Sequence, residues 1–465
     1  MKKVFKSVNA LDQKCYDKYF LNEDILQEHA ALGLKSVLPK DSSRILIVAG
    51  VGNNGADGIA LARILHKLYD VDLYIPFGVK SKMANLQLKR AKSIGVNIIN
   101  DIDSDNRYEV IVDALFGSGL NKELNQDTIQ IINTLNQIQA FKIACDIPSG
   151  IDIDGDIKTV AFMANITVTM GAYKSALFSD IAKDFVGEIK CVDLGVSSYF
   201  YENESDIHLL EESDLKLPLR DKQNTHKGDF GHLSVVAGKK DGSCIIAALG
   251  AFAFGAGLVT VIENKPYMIP PELMSSSMMP PKTNAICIGM GLGNQFDDEY
   301  LSKFLLNHNL AMVIDADLFY NDILIRVLNE NQNIVLTPHP KEFASLLKLT
   351  NIADVSVKEI QKDRFGYALK FSKVYKNIVL LLKGANTLIV YNEKIYIQPL
   401  GTNALSKGGS GDVLGGFIAS LLAQGYKPLD AAISGSLAHA LSAKKFSKNN
   451  YALTPQDIIE GVKCL

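Results

Sequence analysis

The residues best suited to chemistry lie in one short run, Asn403-Ala404-Leu405-Ser406-Lys407-Gly408-Gly409-Ser410-Gly411-Asp412. An apolar segment follows at 413–422, with the length and Ala/Leu content of a buried helix. Gly408, Gly409 and Gly411 let backbone N–H groups approach a ligand with no Cβ in the way. A helix that starts here directs its free N–H groups and the positive end of its dipole at whatever occupies the loop. An anion hole bordered by one carboxylate, Asp412, suits phosphoryl chemistry. The hole stabilises developing charge, and the carboxylate takes a proton from a hydroxyl. The same residues would also serve as a glycine-rich turn whose aspartate caps a core helix. The loops that accompany it decide between the two readings.

Those loops must be placed by strands. In the second half, apolar strands are expected at 233–238, 258–262, 285–288, 311–314, 334–336 and 378–382, with a β-ribbon at 387–391 and 394–398. Polar groups follow the strand ends: Gly289-Met290-Gly291-Leu292-Gly293, Asp315-Ala316-Asp317, Thr337-Pro338-His339-Pro340-Lys341-Glu342 and Lys383-Gly384-Ala385-Asn386-Thr387. A lone loop histidine such as His339 is commonly structural, and Lys383-Gly384 alone is an ordinary solvated turn. Gathered on one sheet edge they argue for a site. The chain has no G-x-x-x-x-G-K-[S/T], no G-x-S-x-G and no H-E-x-x-H, which excludes P-loop chemistry and those hydrolase classes.

The first half reads as two helices over 7–38, a buried strand at 44–49, a polar glycine loop at 50–58 and a helix at 59–69. Further strands are expected at 71–76, 110–115, 141–145, 166–169 and 188–192. Alternation of strands and helices means a parallel sheet covered on both faces, with ligands at the carboxyl ends of strands. Gly50-x-Gly52-x-x-Gly55 matches the dinucleotide fingerprint, but Gly78-Val79-Lys80 stands where its acidic residue belongs, and Asn53, Asn54 and Asp57 add polar side chains to the loop. Asp113 to Leu120, Asp146 to Asp152 with Ser149, and Gly171-Ala172-Tyr173-Lys174 follow other strands, and Asn54, Asp113 and Ser149 could together supply hard oxygen ligands for a cation. Asx residues also cap turns for purely local reasons. Four polar loops on one sheet edge outweigh that explanation.

Composition sets the frame. With 465 residues and 47% apolar content, two domains with sizeable cores are expected. The 48 Lys and Arg nearly balance the 51 Asp and Glu, so neither nucleic acid nor an acidic tail is indicated. Mean hydropathy is +0.09, and Lys6, Asp12, Lys14 and Asp17 interrupt the N-terminus, so no signal peptide is expected there. The uncharged run 242–262 is divided by Gly255-Ala256-Gly257 and reads as helix, turn and strand, with no membrane span. Six scattered cysteines without a C-x-x-C pair read as buried thiols of a cytoplasmic protein. Residues 202–220 read as a charged connector.

The first-half motifs, Asn53-Asn54-Gly55-Ala56-Asp57-Gly58, then Asp113 to Leu120, then Asp146 to Asp152, resemble the NAD(P)H-hydrate epimerase domain over residues 1–203. The resemblance implies that Asn53, Asn54, Gly55, Ala56 and Asp57 bind the damaged dinucleotide, together with Gly117, Ser118, Gly119, Leu120, Asn121, Lys122 and Glu123. It implies that Asp146 meets the reacting centre and that Asn54, Asp113 and Ser149 hold potassium. Val51 and Ala56 replace the family's usual proline and glycine while every polar group is kept.

Residues 206–465 carry H-K-G-D-F-G, G-x-G, T-P-H-P-x-E, K-G-x-x-T and G-G-S-G-D in order, and resemble the ADP-dependent NAD(P)H-hydrate dehydratase of the ribokinase-like fold. By that resemblance Lys383, Gly384, Ala385, Asn386, Thr387 and Gly411 bind ADP, while Ser243, Gly291, His339 and Asp412 face the hydrate and Mg2+ accompanies the nucleotide. Ser410 stands for the common threonine, Lys341 for glycine and Met290 for proline. The expected architecture is therefore α/β in two domains, an N-terminal Rossmann-like doubly wound sheet and a C-terminal ribokinase-like domain. The expected activity is epimerisation of (R)- and (S)-NAD(P)HX followed by ADP-dependent dehydration of the S form, with Asp146 and Asp412 catalytic. The expected partners are NAD(P)HX and ADP, without nucleic acid or membrane, in a homo-oligomer. A vitamin or sugar kinase with a non-catalytic nucleotide-binding N-terminal module is the alternative.

Overall fold

Strands whose residues are apolar on both faces form the centre of each half, because every side chain must find cover. Ile45, Leu46, Ile47 and Val48 are all fully buried, and alternate ones belong to different cores: Ile45 and Ile47 to one, Leu46 and Val48 to the other. In the computed structural model, residues 1–102, 107–263, 269–293, 298–306 and 310–465 are described. The chain divides into two units, Lys3–Ser205 and Asp206–Leu465, the latter including Met1–Lys2.

In the N-terminal unit seven parallel strands lie in the spatial order Asn97–Ile99, Asp70–Tyr74, Arg44–Ala49, Val110–Ala114, Phe141–Cys145, Ile166–Met170, Glu188–Val192. Chain order runs outward in both directions from Arg44–Ala49, so a switch point falls between that strand and Val110–Ala114. This is the doubly wound, Rossmann-like arrangement, and its crevice opens at the switch point. Helices Glu23–Lys35 and Asn53–Leu65 supply one core, and Gln126–Gln137 supplies the opposite one through Ile132 and Leu135. Val4 and Phe5 pair in parallel with Tyr173 and Lys174.

In the C-terminal unit the parallel order is Met274–Ser276, Leu258–Ile262, His232–Val236, Ala285–Ile288, Ala311–Ile314, Ile334–Leu336, Val379–Leu382. Thr387–Tyr391 and Lys394–Gln398 follow as an antiparallel ribbon. The helix Ser410–Ala423 is almost wholly buried and packs on Asp241–Ala253. Their backbones meet at Gly416, where a Cβ would stand 2.1 Å from the Ala247 carbonyl oxygen.

The structure corrects three expectations. The helix expected at 59–69 is Asn53–Leu65, so the asparagine loop forms its first turns. Gly52 is extended at its N-cap, and Lys67 turns left-handed (φ 66°) just beyond its end. Within the expected connector, Ile207–Leu209 forms a strand parallel to Lys394–Gln398, since its apolar residues find cover there. The short strands Asn97–Ile99 and Met274–Ser276 were not expected, being too brief for a periodic signal. The uncharged run is a helix, a turn at Gly255 and a strand, and no helix among the described residues is long and apolar enough to cross a membrane.

Candidate active sites

At the N-terminal switch point Asp146 directly follows the strand Phe141–Cys145 and has left-handed backbone (φ 69°). Aspartate is among the few residues with a Cβ that tolerate this region. Its Oδ1 accepts from Lys174 Nζ at 2.6 Å, from the Met170 amide at 3.2 Å and from Thr169 Oγ1 at 3.3 Å. Lys174 is fully buried, and its ammonium also donates to Thr169 Oγ1 and the Met170 carbonyl, each at 3.1 Å. A buried ammonium with three acceptors is fixed in place, and it holds the Asp146 carboxylate with it.

Asn54 lies beside this pair: a Cβ on Gly117 would stand 3.1 Å from Asn54 Oδ1 and 3.3 Å from Asp146 Oδ2. A cavity of about 570 Å3 opens here, walled by Asn53, Asn54, Asp57, Asp146 and the loop at Gly117, Ser118, Gly119 and Leu120. Gly55 and Ala56 are buried behind it, while Asn121, Lys122 and Glu123 lie outside its wall. Three further wall residues, Asp12, Tyr16 and Glu23, come from the first two helices. They were missed because a helix of ordinary amphipathic pattern carries no motif. Burial raises the Asp57 carboxyl, with Asp146 adding to the effect. Burial also raises Asp12, against a hydrogen bond from Tyr201 at 2.6 Å.

Behind the cavity Asp113 is fully buried, and burial lifts its carboxyl to about 6. It accepts from Ser149 Oγ at 2.6 Å, the Ser149 amide at 2.8 Å and the Leu115 amide at 3.2 Å, all neutral donors. The buried Asn54 Nδ2 has no hydrogen-bond partner. The Asp113 carboxylate and the Ser149 hydroxyl are hard oxygens of the kind a monovalent cation takes, whereas the unpaired Asn54 Nδ2 is a donor left for an acceptor.

In the C-terminal unit Gly409 is the helix N-cap with φ 88°, a left-handed position that glycine takes without strain. Gly408 faces open space, and a Cβ on Gly411 would lie 3.6 Å from Lys383 Nζ. The Ser410 amide donates to the Lys407 carbonyl at 3.2 Å, so the amides left for an anion are those of Gly411 and Asp412 in the first turn. The Ser410 hydroxyl lies 3.1 Å from Nε2 of buried His439, and burial holds that imidazole down at about 4.

Asp412 hydrogen-bonds Ser243, and burial and then the Asp315 charge raise its carboxyl to about 6. Gly291 is packed against Lys240 and Ser243. Lys383 pairs with Asp315 at 2.9 Å and lies 3.8 Å from Glu342. His339 caps the helix Pro340–Leu349: its Nδ1 accepts from the Lys341 and Glu342 amides, and its Nε2 lies 3.2 Å from Glu342 Oε1. With Nδ1 an acceptor, the neutral ring carries its proton on Nε2 and is a donor. Glu342 is raised to about 7, burial again outweighing Lys383. Ala316, after Asp315, is left-handed at φ 52°. Gly384 and Ala385 form the exposed tip of their loop, Asn386 is buried, and Thr387 opens the ribbon.

Two parallel-sheet units, each with carboxylates and a lysine ion pair at the carboxyl ends of its strands, define a two-site α/β enzyme. A family model described as NAD(P)H-hydrate dehydratase matches residues 233–463, and one described as YjeF-related protein N-terminus matches 23–176. The bifunctional NAD(P)H-hydrate repair enzyme Nnr of Helicobacter pylori is 45% identical with both chains covered in full. That of Escherichia coli is 31% identical over 87% of this chain and 81% of its own. Among solved structures, an ADP/ATP-dependent NAD(P)H-hydrate dehydratase from Bacillus subtilis, co-crystallised with ATP/Mg2+, aligns at TM-score 0.46 and 25% identity, covering 55% of this chain and 96% of that one. The chain belongs to the bifunctional NAD(P)H-hydrate repair enzyme family.

Lys174→Ala removes the shared donor of three buried acceptors. Stability of the N-terminal unit should fall by about 3 kcal/mol, measured by urea unfolding, and Lys174→Ala/Asp146→Asn should recover part of the loss. An unchanged midpoint in the single variant would show that the pair is not coupled to folding.

Proposed function

We propose that the N-terminal unit interconverts the R and S hydrates of NADH and NADPH, and that the C-terminal unit dehydrates the S hydrate with ADP. The observation that carries the reading is Asp412 in the first turn of a buried helix, with Lys383 Nζ 3.6 Å from where a Cβ on Gly411 would stand. One carboxylate, one ammonium and free amides are what transfer of a phosphoryl group to a hydroxyl requires.

In the dehydratase, Ser243, Gly291 and His339 orient the hydrate, the His339 ring being held in place by Glu342 and its helix cap. Asp412 takes the proton of the hydroxyl, whose oxygen bonds to the β-phosphorus of ADP as the bond to AMP breaks. The Gly411 and Asp412 amides and Lys383 stabilise the charge on the transferring group. The phosphorylated oxygen then leaves as phosphate, with loss of a ring proton, giving NAD(P)H, AMP and phosphate. Gly384, Ala385, Asn386 and Thr387 complete the nucleotide site. Asp412 and Glu342, two carboxyls that burial raises and a cation would favour in the ionised form, would hold Mg2+, whose charge would neutralise phosphate.

In the epimerase, inversion at a carbinol carbon requires one bond to open and close again on the other face. Asp146, held by Lys174, handles the proton, and Asn53, Asn54, Asp57 and the Gly117–Leu120 loop hold the dinucleotide; Gly55 and Ala56 shape the turn behind them, and Asn121, Lys122 and Glu123 extend the contact outward. Asn54, Asp113 and Ser149 would hold potassium, whose charge would balance Asp113. Cytoplasmic location and homo-oligomeric assembly complete the proposal, in keeping with the six free thiols, four of them buried.

Asp412→Asn in the full chain should abolish phosphate release from ADP and (S)-NADHX while epimerisation continues; Asp146→Ala should do the reverse. Dehydration surviving in Asp412→Asn would refute its role as base. A base must be ionised, so kcat/KM for dehydration should fall as pH drops through about 6, the value to which burial and Asp315 lift Asp412. A profile flat from pH 7 to 5 contradicts the assignment.

A further inference from the structure

Arg364 is the first residue of the helix Arg364–Val374 and is 3% exposed. A cation in the first turn of a helix meets the positive end of the dipole, and a buried one also loses its water. Something must offset both, and backbone carbonyls do so here. Nη1 donates to the Asn386 carbonyl at 2.8 Å; Nη2 donates to the Leu382 carbonyl at 3.0 Å and the Lys383 carbonyl at 3.1 Å. These three carbonyls belong to the end of strand Val379–Leu382 and to both sides of the exposed Gly384-Ala385 tip. One planar guanidinium therefore ties down the strand end and both shoulders of the loop.

We infer that Arg364 is the positioning residue of the nucleotide site: it touches no ligand, but its fork on the Leu382, Lys383 and Asn386 carbonyls fixes the loop that receives ADP and the backbone from which Lys383 extends. The inference rests on the assignment of that loop to ADP. Gly384 and Ala385 have almost no side chain with which to order themselves, so the loop's shape depends on anchors on either side. Lysine keeps the charge but lacks the rigid fork that spans carbonyls four residues apart. Arg364 would thus govern nucleotide affinity from beneath the site, leaving the hydrate contacts at Ser243, Gly291 and His339 untouched.

Arg364→Lys and Arg364→Gln, made in the full chain, should each raise KM for ADP at least about tenfold, the loss of one charged hydrogen-bond set, while KM for (S)-NADHX stays within about twofold. Lys383→Ala is the control. If it weakens ADP while Arg364→Lys leaves KM for ADP unchanged, the role of Arg364 is refuted and the loop assignment stands. If Lys383→Ala leaves ADP affinity intact, the loop assignment itself fails. Hydrogen exchange on the unmutated protein needs no variant to fold: ADP should slow exchange both at 382–387 and in the first turn of the 364–374 helix. Protection confined to 382–387 would overturn the inference.

Discussion

A charge on a parallel strand buried on both faces needs a partner to hold it, and at the strand ends this constraint organises both units. Ile45 to Val48 and Leu380 to Leu382 are fully buried, whereas Asp113, Asp146, Asp315 and Lys383 fall at or just past the last strand residues. Each charge there must be paired or hydrogen-bonded, because an isolated buried ion costs several kcal/mol. The ion pairs Lys174–Asp146 and Lys383–Asp315 are the result, and they leave the remaining carboxylate oxygens aimed in fixed directions. Left-handed backbone at Asp146 and Ala316 occurs at the same edges. It is strain of order 1 kcal/mol per residue that the surrounding sheets hold in place.

The two sites use these elements for different chemistry. The N-terminal cavity gathers Asp12, Asp57 and Asp146 around one fixed ammonium, so proton handling is its natural work. The C-terminal site sets Asp412 in the first turn of a buried glycine-capped helix, with Lys383 close to Gly411. That helix is held by close contact with Asp241–Ala253, which also carries Ser243 on its first turn. One packing interface therefore sets the distance between the first-turn amides and Ser243.

Much of this was legible in the sequence because loops at strand ends are forced to be polar and glycine-rich. The strands at Arg44–Ala49, Phe141–Cys145 and Lys394–Gln398 were read to the residue from continuous apolar runs. The helix start at Asn53 was not, since two asparagines and a glycine look like a loop until Gly52 is seen to cap them. Ile207–Leu209 was hidden for another reason: three residues become a strand only when the ribbon beside them supplies partners. Asp12 and Arg364 act through long-range contacts that no local spacing encodes. That the Ser410 amide is engaged by the Lys407 carbonyl was likewise not legible, because helix geometry, not composition, decides which first-turn groups stay free.

The central claim is that two sites on one chain act in sequence on one damaged cofactor. The direct measurement incubates mixed (R)- and (S)-NADHX with ADP and follows NADH absorbance together with phosphate. Conversion should run past the S share to completion, with one phosphate released for each NADH formed. A halt at the S share would contradict epimerisation by the N-terminal unit, and a stable phosphorylated product without NADH would contradict dehydration by the C-terminal one.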